Sequence, residues 1–525
     1  MRATFVPFRR LAAALAAVAA AWCSGIGALA PARGQTTYSL SGEALFLGNP
    51  GTDATKARAA RREAHDKRGD WEVAAAAGEY DRHGQRDPLW DADARTGLTQ
   101  YARYLSDARA LDRLSPAPPL REGAKTALAR AVAAGCPDGL VVASALALGA
   151  APAEPSPAGL PRLHARAEAA LEKSTYPPVQ KFRAALRAVR AYARAAAEGT
   201  SPSGKLPASL DGTDLPGALD HAGGHLLALL RDPAAPRDVS ADAVTDFLRT
   251  LETLPSPAAG DRACETLGRV LIAPAFTQAA AGSASLSTAA GVFWTGYAWR
   301  GGGDFHAGTL HDDPRWQPFQ ERLTRAATSL ENAWRLDPAG GARAATAMLA
   351  VERGQHQSRE RLETWFRRAL DADPDNFDAC LEKLRYLHPR WYGDAAQMIE
   401  FGRQCVATRQ WVSQLPFVLL EAHCLLAATQ SNPALYWRRP DVWNDVRTLY
   451  GDCLAANPPT ADFERTGFAL YACTAGQWKT AAGLFKELGE RANPRAMGGT
   501  SPVRIRRLAA QAARLATMSP AQADA

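Results

Sequence analysis

The chain has 525 residues, eight cysteines and a formal net charge of +7. This length exceeds one ordinary hydrophobic core, so we expect two domains or an extended array of repeats. The first 34 residues hold four arginines and no acidic residue, so the rest carries only +3 and gives no electrostatic reason to expect a nucleic-acid partner. No C-x-x-C pair occurs, which argues against a disulfide scaffold or a zinc site and leaves a single disulfide open.

The first segment, residues 1–34, has the three-part form of an export signal. Arg9 and Arg10 precede an apolar stretch from Leu11 to Trp22, and small residues around Ala30 follow as a cleavage site. The apolar stretch and the residues after it are about long enough to span a bilayer, so an uncleaved membrane anchor is the alternative. We predict an exported protein, periplasmic or extracellular, with no membrane span in the mature chain unless this segment is retained.

Residues 35–285 are alanine-rich, and the strand-forming residues valine and isoleucine are sparse. Prolines and glycines separate the helix-like segments at 151–161, 200–216 and 231–238. No alternating pattern of a β-strand persists over this range. We predict an irregular α-helical domain built from degenerate helical hairpins.

Two histidines in this range, His221 and His225, have the spacing that places two imidazoles on one helix face as zinc ligands. The residues between them include Gly223 and Gly224, which disfavour a helix, and the glutamate of a metalloprotease helix is absent. We therefore expect a solvent-exposed turn here rather than a metal site.

Residues 286–318 combine aromatic residues, a triple glycine, and a group of histidines and aspartates. The triple glycine, 301–303, does not follow an apolar strand, so it predicts a sharp turn and not a nucleotide-binding loop. His306, His311 and Asp313 are weak candidates for metal ligands, but no second cluster completes a site, and a polar loop is the preferred interpretation. We predict a glycine- and aromatic-rich connector without a metal or cofactor.

From residue 319 onwards, one spacing of apolar residues recurs on predicted helices. Each set is followed by a proline, which stops the helix. The sets are Ala326, Leu330, Ala333 and Pro338; Leu362, Phe366, Ala369 and Pro374; Val446, Tyr450, Cys453 and Pro458; and Ala481, Phe485, Leu488 and Pro494. A helix with one apolar stripe cannot bury it alone, so we expect partner helices just upstream, where the large–small pairs Leu349-Ala350 and Phe468-Ala469 lie.

These positions resemble the tetratricopeptide-repeat superfamily, in which the second helix carries the small, large, small, proline pattern and the first helix the large–small pair. Residues 290 to 405 also resemble a group of uncharacterised exported bacterial proteins with divergent repeats of this kind, which brings no known activity. The resemblance implies an all-α fold with antiparallel helical hairpins stacked as a right-handed solenoid over 319–500. A capping helix and a disordered tail are expected over 501–525.

The sequence predicts no particular chemistry, because it contains no G-x-S-x-G, H-E-x-x-H or phosphate-loop motif. It therefore gives no reason to expect an enzyme. Analogy at the level of the fold favours an exported scaffold that binds a protein or peptide partner. The alternative is an enzyme, or a glycan- or ligand-binding protein, with its site in the cleft between the two helical halves.

Tryptophan, tyrosine and arginine residues are the candidates for partner contact, since these residue types dominate binding hot spots. They lie ahead of the first recurring helix and in the segment RYLHPRWYGD, 385–394, between two later helices. The candidates are Trp294, Tyr297, Trp299, Arg300, Tyr386, Arg390, Trp391 and Tyr392. Packing of large rings between divergent hairpins is the alternative interpretation for all of them.

Overall fold

A computed structural model describes most of the chain between residues 52 and 518. The described residues are 52–110, 118–150, 159–197, 215–232, 234–235, 237–252, 254, 257–303, 305–308, 313–411, 413–458, 460–493, 496 and 502–518. They form 22 α-helices and no β-strand, which confirms the all-α prediction for this part of the chain.

The helices follow one another with short breaks. The first eleven are α1 (Thr52–His83), α2 (Asp91–Ala110), α3 (Pro118–Ala133), α4 (Gly139–Ala147), α5 (Gly159–Glu172), α6 (Pro178–Ala197), α7 (Leu215–Leu230), α8 (Arg237–Glu252), α9 (Pro257–Leu271), α10 (Pro274–Ala281) and α11 (Ala284–Gly302). The others are α12 (Trp316–Leu336), α13 (Ala342–Gly354), α14 (Arg359–Ala372), α15 (Phe377–Tyr386), α16 (Ala395–Ala407), α17 (Val418–Ala428), α18 (Pro433–Trp437), α19 (Pro440–Ala455), α20 (Ala461–Thr474), α21 (Trp478–Leu488) and α22 (Pro502–Leu515). Two 3-10 turns, Leu415–Phe417 and Gly489–Arg491, lie within the second series.

Two compact units divide the chain, as far as it is described. The N-terminal unit comprises Lys56–Arg300 and Pro318–Val351. Among the described residues, the C-terminal unit comprises those within Gly301–Gln317 and Glu352–Ala525. The domain ranges expected from the sequence stay predictions.

The first half of the predicted connector, 286–318, is helical. Helix α11 runs to Gly302, so the triple glycine lies where this helix ends. Gly291 serves close packing rather than a turn, because a Cβ there would lie 2.4 Å from the Leu330 side chain. Two adjacent rows of residues four apart are buried along the helix, which explains why it forms. They are Ala289, Phe293 and Tyr297, and Ala290, Trp294 and Ala298.

The prediction of a turn around His221 and His225 is wrong, because both residues lie inside helix α7. Gly223 and Gly224 each cost about 1 kcal/mol relative to alanine in a helix. Burial outweighs this cost, since tertiary packing of an apolar face supplies most of the stability of a helix. The buried residues of α7 are Leu215, Ala218, Leu219, Ala222, Leu226, Leu229 and Leu230.

The recurring apolar sets all lie on helices and face inward. Their members other than the prolines are between 0% and 6% exposed. Pro338, Pro374 and Pro458 each follow a helix end within a few residues, at α12, α14 and α19 respectively, while Pro494 lies outside the described residues. The prediction of proline-terminated helices with one buried stripe is therefore confirmed for the first three sets.

The two ends of the chain bear on the export and capping predictions. Residues 1–34, the predicted export segment, lie outside the described part of the chain. Among the helices that are described, none combines the length and the apolar character needed to cross a bilayer. Helix α22 occupies the range of the predicted C-terminal helix, and residues 519–525 of the predicted tail lie outside the description.

Candidate ligand-binding site

The eight candidate contact residues fall into two groups on different units. Four of them, Trp294 to Arg300, belong to α11 in the N-terminal unit. The other four, Tyr386 to Tyr392, belong to the end of α15 and the turn after it in the C-terminal unit. Each group is therefore a separate candidate.

Trp294 and Tyr297 are packed against neighbouring side chains. Both are 7% exposed, and both lie against the Phe293 ring at centroid distances of 5.1 and 5.7 Å. The Arg322 guanidinium lies 3.7 Å from the Tyr297 ring centroid, and that of Arg325 lies 5.6 Å from the Trp294 ring. These contacts leave little ring surface for a partner.

Trp299 and Arg300 also have partners within the N-terminal unit. The Trp299 ring meets Phe319 edge-on, with the centroids 5.0 Å apart. The Arg300 Nε donates to Asp261 at 2.8 Å, and its Nη1 donates to the Leu251 carbonyl at 3.3 Å. The α11 group thus has the contacts expected of packing, and a binding role for it stays a prediction.

Hydrogen bonds fix the turn that follows α15 in one conformation. The Trp391 N–H donates to the His388 carbonyl at 2.7 Å, and the Tyr392 N–H donates to the Tyr386 carbonyl at 3.1 Å. Gly393 allows the chain to close, because a Cβ there would lie 2.3 Å from the Leu387 carbonyl oxygen. The ring-bearing residues of the turn are therefore held in place before any ligand arrives.

Six rings of the C-terminal unit form a continuous series, called the aromatic cluster below. Its members come from three separate parts of the chain: the segment that leads into the first residue of α12, the turn after α13, and the end of α15 with the turn that follows it. The members are Phe305, Trp316, His356, Tyr386, Trp391 and Tyr392.

Tyr392 lies at the centre of the aromatic cluster. Its ring is 4.6 Å from Tyr386, 6.0 Å from Trp391 and 5.8 Å from His356, measured between centroids. Its hydroxyl donates to the Arg353 carbonyl at 3.0 Å. Tyr386 is buried, Trp391 and Tyr392 are half-buried, and His356 is exposed, so part of the cluster reaches the surface.

The cluster continues through Phe305, which precedes α12, and Trp316, the first residue of α12. Trp316 meets His356 edge-on at 5.6 Å, and Phe305 lies 5.6 Å from Trp316 on its other side. The Arg315 guanidinium lies 5.0 Å from the Phe305 ring. The Ala307 N–H donates to the Arg390 carbonyl at 3.1 Å, which ties the segment before α12 to the turn after α15.

Arg353 is the buried cation of this region. Its guanidinium lies 4.9 Å from the Trp391 ring centroid, and its Nη2 lies 3.4 Å from a Glu382 carboxylate oxygen. Removal from water lowers the pKa of Arg353 to about 10, which leaves it charged at neutral pH. It therefore places a permanent positive charge beneath the Trp391 ring.

His388 is a neutral hydrogen-bond donor inside the turn. Its side chain is 4% exposed, and its Nδ1 accepts from the Arg390 N–H at 3.1 Å, which assigns the ring proton to Nε2. Burial, with the positive charges of Arg390 and Arg353, lowers the pKa of His388 to about 4. Within the described residues its Nε2 has no hydrogen-bond partner.

Within the described part of the chain, the candidate metal ligands do not come together to form a site. His306 Nδ1 accepts from the Gly308 N–H at 3.0 Å, and Asp313 forms an ion pair with Arg315 at 2.7 Å. His311 lies outside the described residues. In the described part of the chain, no three His, Cys, Asp or Glu side chains are placed to hold a metal ion.

Several residues of this region cannot be identified as members of the cluster from the sequence alone. Phe305 and Trp316 belong to a stretch rich in aromatics, but His356, the ring that Trp316 meets next, lies beyond helix α13. Arg353 lies near the end of α13, and no sequence motif marks it as a buried cation. His356 occupies a left-handed backbone conformation, with φ of 56°, which no local sequence signal predicts.

Comparison with known proteins finds no matching protein family, no similar curated protein and no similar solved structure. The assignment of a function therefore depends on the geometry of the aromatic cluster and on the arrangement of the helices.

Proposed function

We propose that this protein is an exported helical-repeat scaffold that binds a segment of a protein or peptide partner at the aromatic cluster. The observation that carries this proposal is the fixed turn after α15. It presents two half-buried rings, Trp391 and Tyr392, together with the half-buried Arg390. Rigid tryptophan, tyrosine and arginine side chains at a surface are the typical anchors of protein–protein contacts.

The helix arrangement supports a repeat architecture. In the C-terminal unit α16 contacts α17, α19 contacts α20, α20 contacts α21, and α21 contacts α22. Contacts between successive helices are expected when each repeat buries its apolar stripe against its neighbours. We propose on this basis that antiparallel helical hairpins stack as a right-handed, tetratricopeptide-like solenoid, with its turns forming the binding surface.

The chemistry of the aromatic cluster favours a polypeptide ligand. Ring faces accept apolar side chains and prolines, while the guanidinium groups bind backbone carbonyls and carboxylates. A glycan would also stack on these rings, and binding to a glycan array distinguishes this alternative from a peptide ligand.

A peptide-display selection against the immobilised chain from residue 35 onwards tests the proposal. We expect a family of peptides to be enriched, and we expect Trp391→Ala to weaken their binding at least about tenfold, as for a hot-spot residue. Arg390→Ala is expected to weaken binding several-fold. Leu435→Ala is the matched control, because Leu435 is 60% exposed and belongs to α18, away from the turn in sequence.

Three results would contradict the assignment. One is that no peptide is enriched, and another is that the selected peptides bind Trp391→Ala as they bind the unaltered chain. A third is that a glycan array shows specific binding which Trp391→Ala abolishes, and this would favour a glycan-binding protein. Thermal unfolding of each variant separates lost contact from lost structure, since Trp391 is only half-buried.

Export is tested separately from binding. We propose that the N-terminal segment directs the chain out of the cytoplasm, because a basic start, an apolar stretch and small residues succeed one another there. Mass spectrometry of the mature protein from a bacterial envelope fraction is expected to find an N-terminus within residues 31–35. Recovery of the uncleaved chain in the cytoplasm would overturn the export part alone.

A further inference from the structure

The last helix, α22, has one face in the core of the C-terminal unit and the opposite face in water. Its inner face belongs to a hydrophobic cluster with residues of α20 and α21. The inner residues are Ile505, Leu508, Ala512 and Leu515. The outer positions recur at intervals of four, three and four residues, so they follow one line along the helix. They are Val503, Arg507, Ala510 and Arg514, and all four are exposed.

Arginines dominate this outer line and its flanks. Arg504 and Arg506 are exposed on its two sides, and these two residues together with the outer line are called the basic face below. Between Glu490 and Asp524 the sequence contains six arginines and neither an aspartate nor a glutamate. The segment that carries the basic face therefore has no acidic side chain of its own to balance the charge.

Ion pairing with other elements does not neutralise most of the basic face. Within the described part of the chain, Arg506, Arg507 and Arg514 form no ion pair. The neighbouring helix α21 has one exposed glutamate, Glu487, and its carboxylate already pairs with Arg465 at 2.9 Å. A second copy of the chain docked on this face would place arginine against arginine, so like-charge repulsion disfavours it.

Helix α9 shows that exposed arginines elsewhere in the chain are balanced locally. Its two exposed arginines, Arg262 and Arg269, are seven residues apart, as Arg507 and Arg514 are. The exposed Glu265 lies between them, whereas the exposed Ala510 lies between the two arginines of α22. The concentration of one sign of charge is thus a property of α22 and not of exposed helices in general.

We propose that the basic face of α22 attaches the protein peripherally to an anionic phospholipid surface. Guanidinium groups bind phosphate oxygens, and each arginine near an anionic lipid surface strengthens binding about fivefold. Val503 near the start of the helix and Met518 just after its end are also exposed. Apolar side chains beside arginines are typical of helices that lie in the interface of a bilayer, where the acyl chains cover them. A nucleic-acid backbone has no comparable apolar layer, so these two residues favour a lipid surface.

Co-sedimentation with vesicles tests the proposal. The chain from residue 35 onwards is used, because residues 1–34 hold four arginines and an apolar stretch that would bind lipid themselves, and every described residue is retained. We expect binding to vesicles of phosphatidylcholine with about one third phosphatidylglycerol, and little binding to phosphatidylcholine alone. Binding is expected to weaken as the salt concentration rises, since salt screens the attraction.

A pair of double variants assigns the binding to α22. Arg507→Gln with Arg514→Gln removes two charges from the basic face and is expected to weaken binding to the anionic vesicles about 25-fold, at about fivefold per arginine. Arg262→Gln with Arg269→Gln removes the same charge with the same spacing from α9, and is expected to weaken binding less than about twofold. All four arginines are exposed, so thermal unfolding is expected to be unchanged in both double variants.

Several outcomes would overturn the proposal. One is that the chain does not bind the anionic vesicles, or binds phosphatidylcholine alone equally well. Another is that the two double variants weaken binding equally, which would mean that only net charge matters. Displacement from the vesicles by duplex DNA that binds the same face more tightly would assign the face to a nucleic acid instead. Trp391→Ala is expected to bind the vesicles like the unaltered chain, so this claim and the peptide-binding proposal can fail separately.

Discussion

Replacing Phe366 with alanine tests whether the recurring apolar stripes hold the C-terminal unit together. The Phe366 ring is 1% exposed and meets the Phe401 ring edge-on, with the centroids 5.9 Å apart. Its face lies 4.2 Å from Lys383 Nζ. Alanine would remove both contacts and leave a cavity between α14, α15 and α16.

Two contributions set the expected loss of stability. A buried phenylalanine withdraws at least about 150 Å² from water, which at about 25 cal/mol per Å² amounts to roughly 4 kcal/mol, part of which alanine keeps. The cavity adds to this, so a Phe→Ala change in a core costs about 3–5 kcal/mol. The buried Lys383 ammonium also loses a ring face, worth about 1 kcal/mol or more. We expect a total loss of about 4–6 kcal/mol.

Urea unfolding of the full chain, followed by far-UV circular dichroism, measures this loss. Hydrogen exchange of peptides from α14 to α16 assigns the transition to the C-terminal unit. Phe366→Leu is the matched control and is expected to cost about 1.5 kcal/mol or less, because it keeps most of the apolar volume. A double-mutant cycle with Lys383→Met is expected to give a coupling energy of about 1 kcal/mol.

The reasoning is refuted by either of two results. A loss below about 2 kcal/mol would mean that Phe366 does not occupy a packed core. A coupling energy of zero between positions 366 and 383 would mean that the ring does not stabilise the buried ammonium.

Two further predictions concern the turn after α15. The pKa of His388 is lowered from 6.5 to about 4, so the unfolded chain binds more protons between these values, and stability is lost as pH falls through that window. At about 1.4 kcal/mol per pKa unit, the free energy of unfolding falls by about 3 kcal/mol in all once the pH is below 4. His388→Gln is expected to flatten this part of a plot of the urea midpoint against pH. An unchanged slope would contradict a buried neutral imidazole. Gly393→Ala is expected to cost about 2 kcal/mol or more and to weaken peptide binding, because its Cβ would meet the Leu387 carbonyl oxygen at 2.3 Å. Gly451→Ala, in α19 with open space around the added Cβ, is expected to be neutral or to stabilise by up to about 1 kcal/mol, and equal losses for the two variants would exclude a steric cause.

The parts of the fold that the sequence predicts well are those set by local periodicity. The stripe Leu362, Phe366 and Ala369 needs only a helical spacing and a proline after it, and the structure buries all three residues. Helix α7 shows the limit of the same reasoning, because Gly223 and Gly224 are unfavourable locally and are accommodated by packing with distant residues. The sequence contains no record of those distant contacts.

The candidate site is less predictable for the same physical reason. Trp391 and Tyr392 are recognisable as rings in a turn, but the cluster also needs Trp316 and His356, which are separated from them by tens of residues. His356 enters the cluster through a left-handed backbone conformation that most residues avoid. Only tertiary structure brings such residues together.

The two aromatic groups also differ in a way that composition conceals. Trp294 and Tyr297 are three residues apart on α11, so they share one helix face, and the packing that stabilises the helix buries that face. Trp391 and Tyr392 follow the end of a helix, where no periodic stripe requires their burial, and the backbone hydrogen bonds of the turn fix them without covering them. The fold has already restricted the conformational freedom of these rings, so little side-chain entropy is lost when a ligand binds. Because the rings remain partly in water, most of the hydrophobic free energy of covering them contributes to affinity. The turn after α15, rather than α11, is therefore the place where a partner segment would gain most from binding.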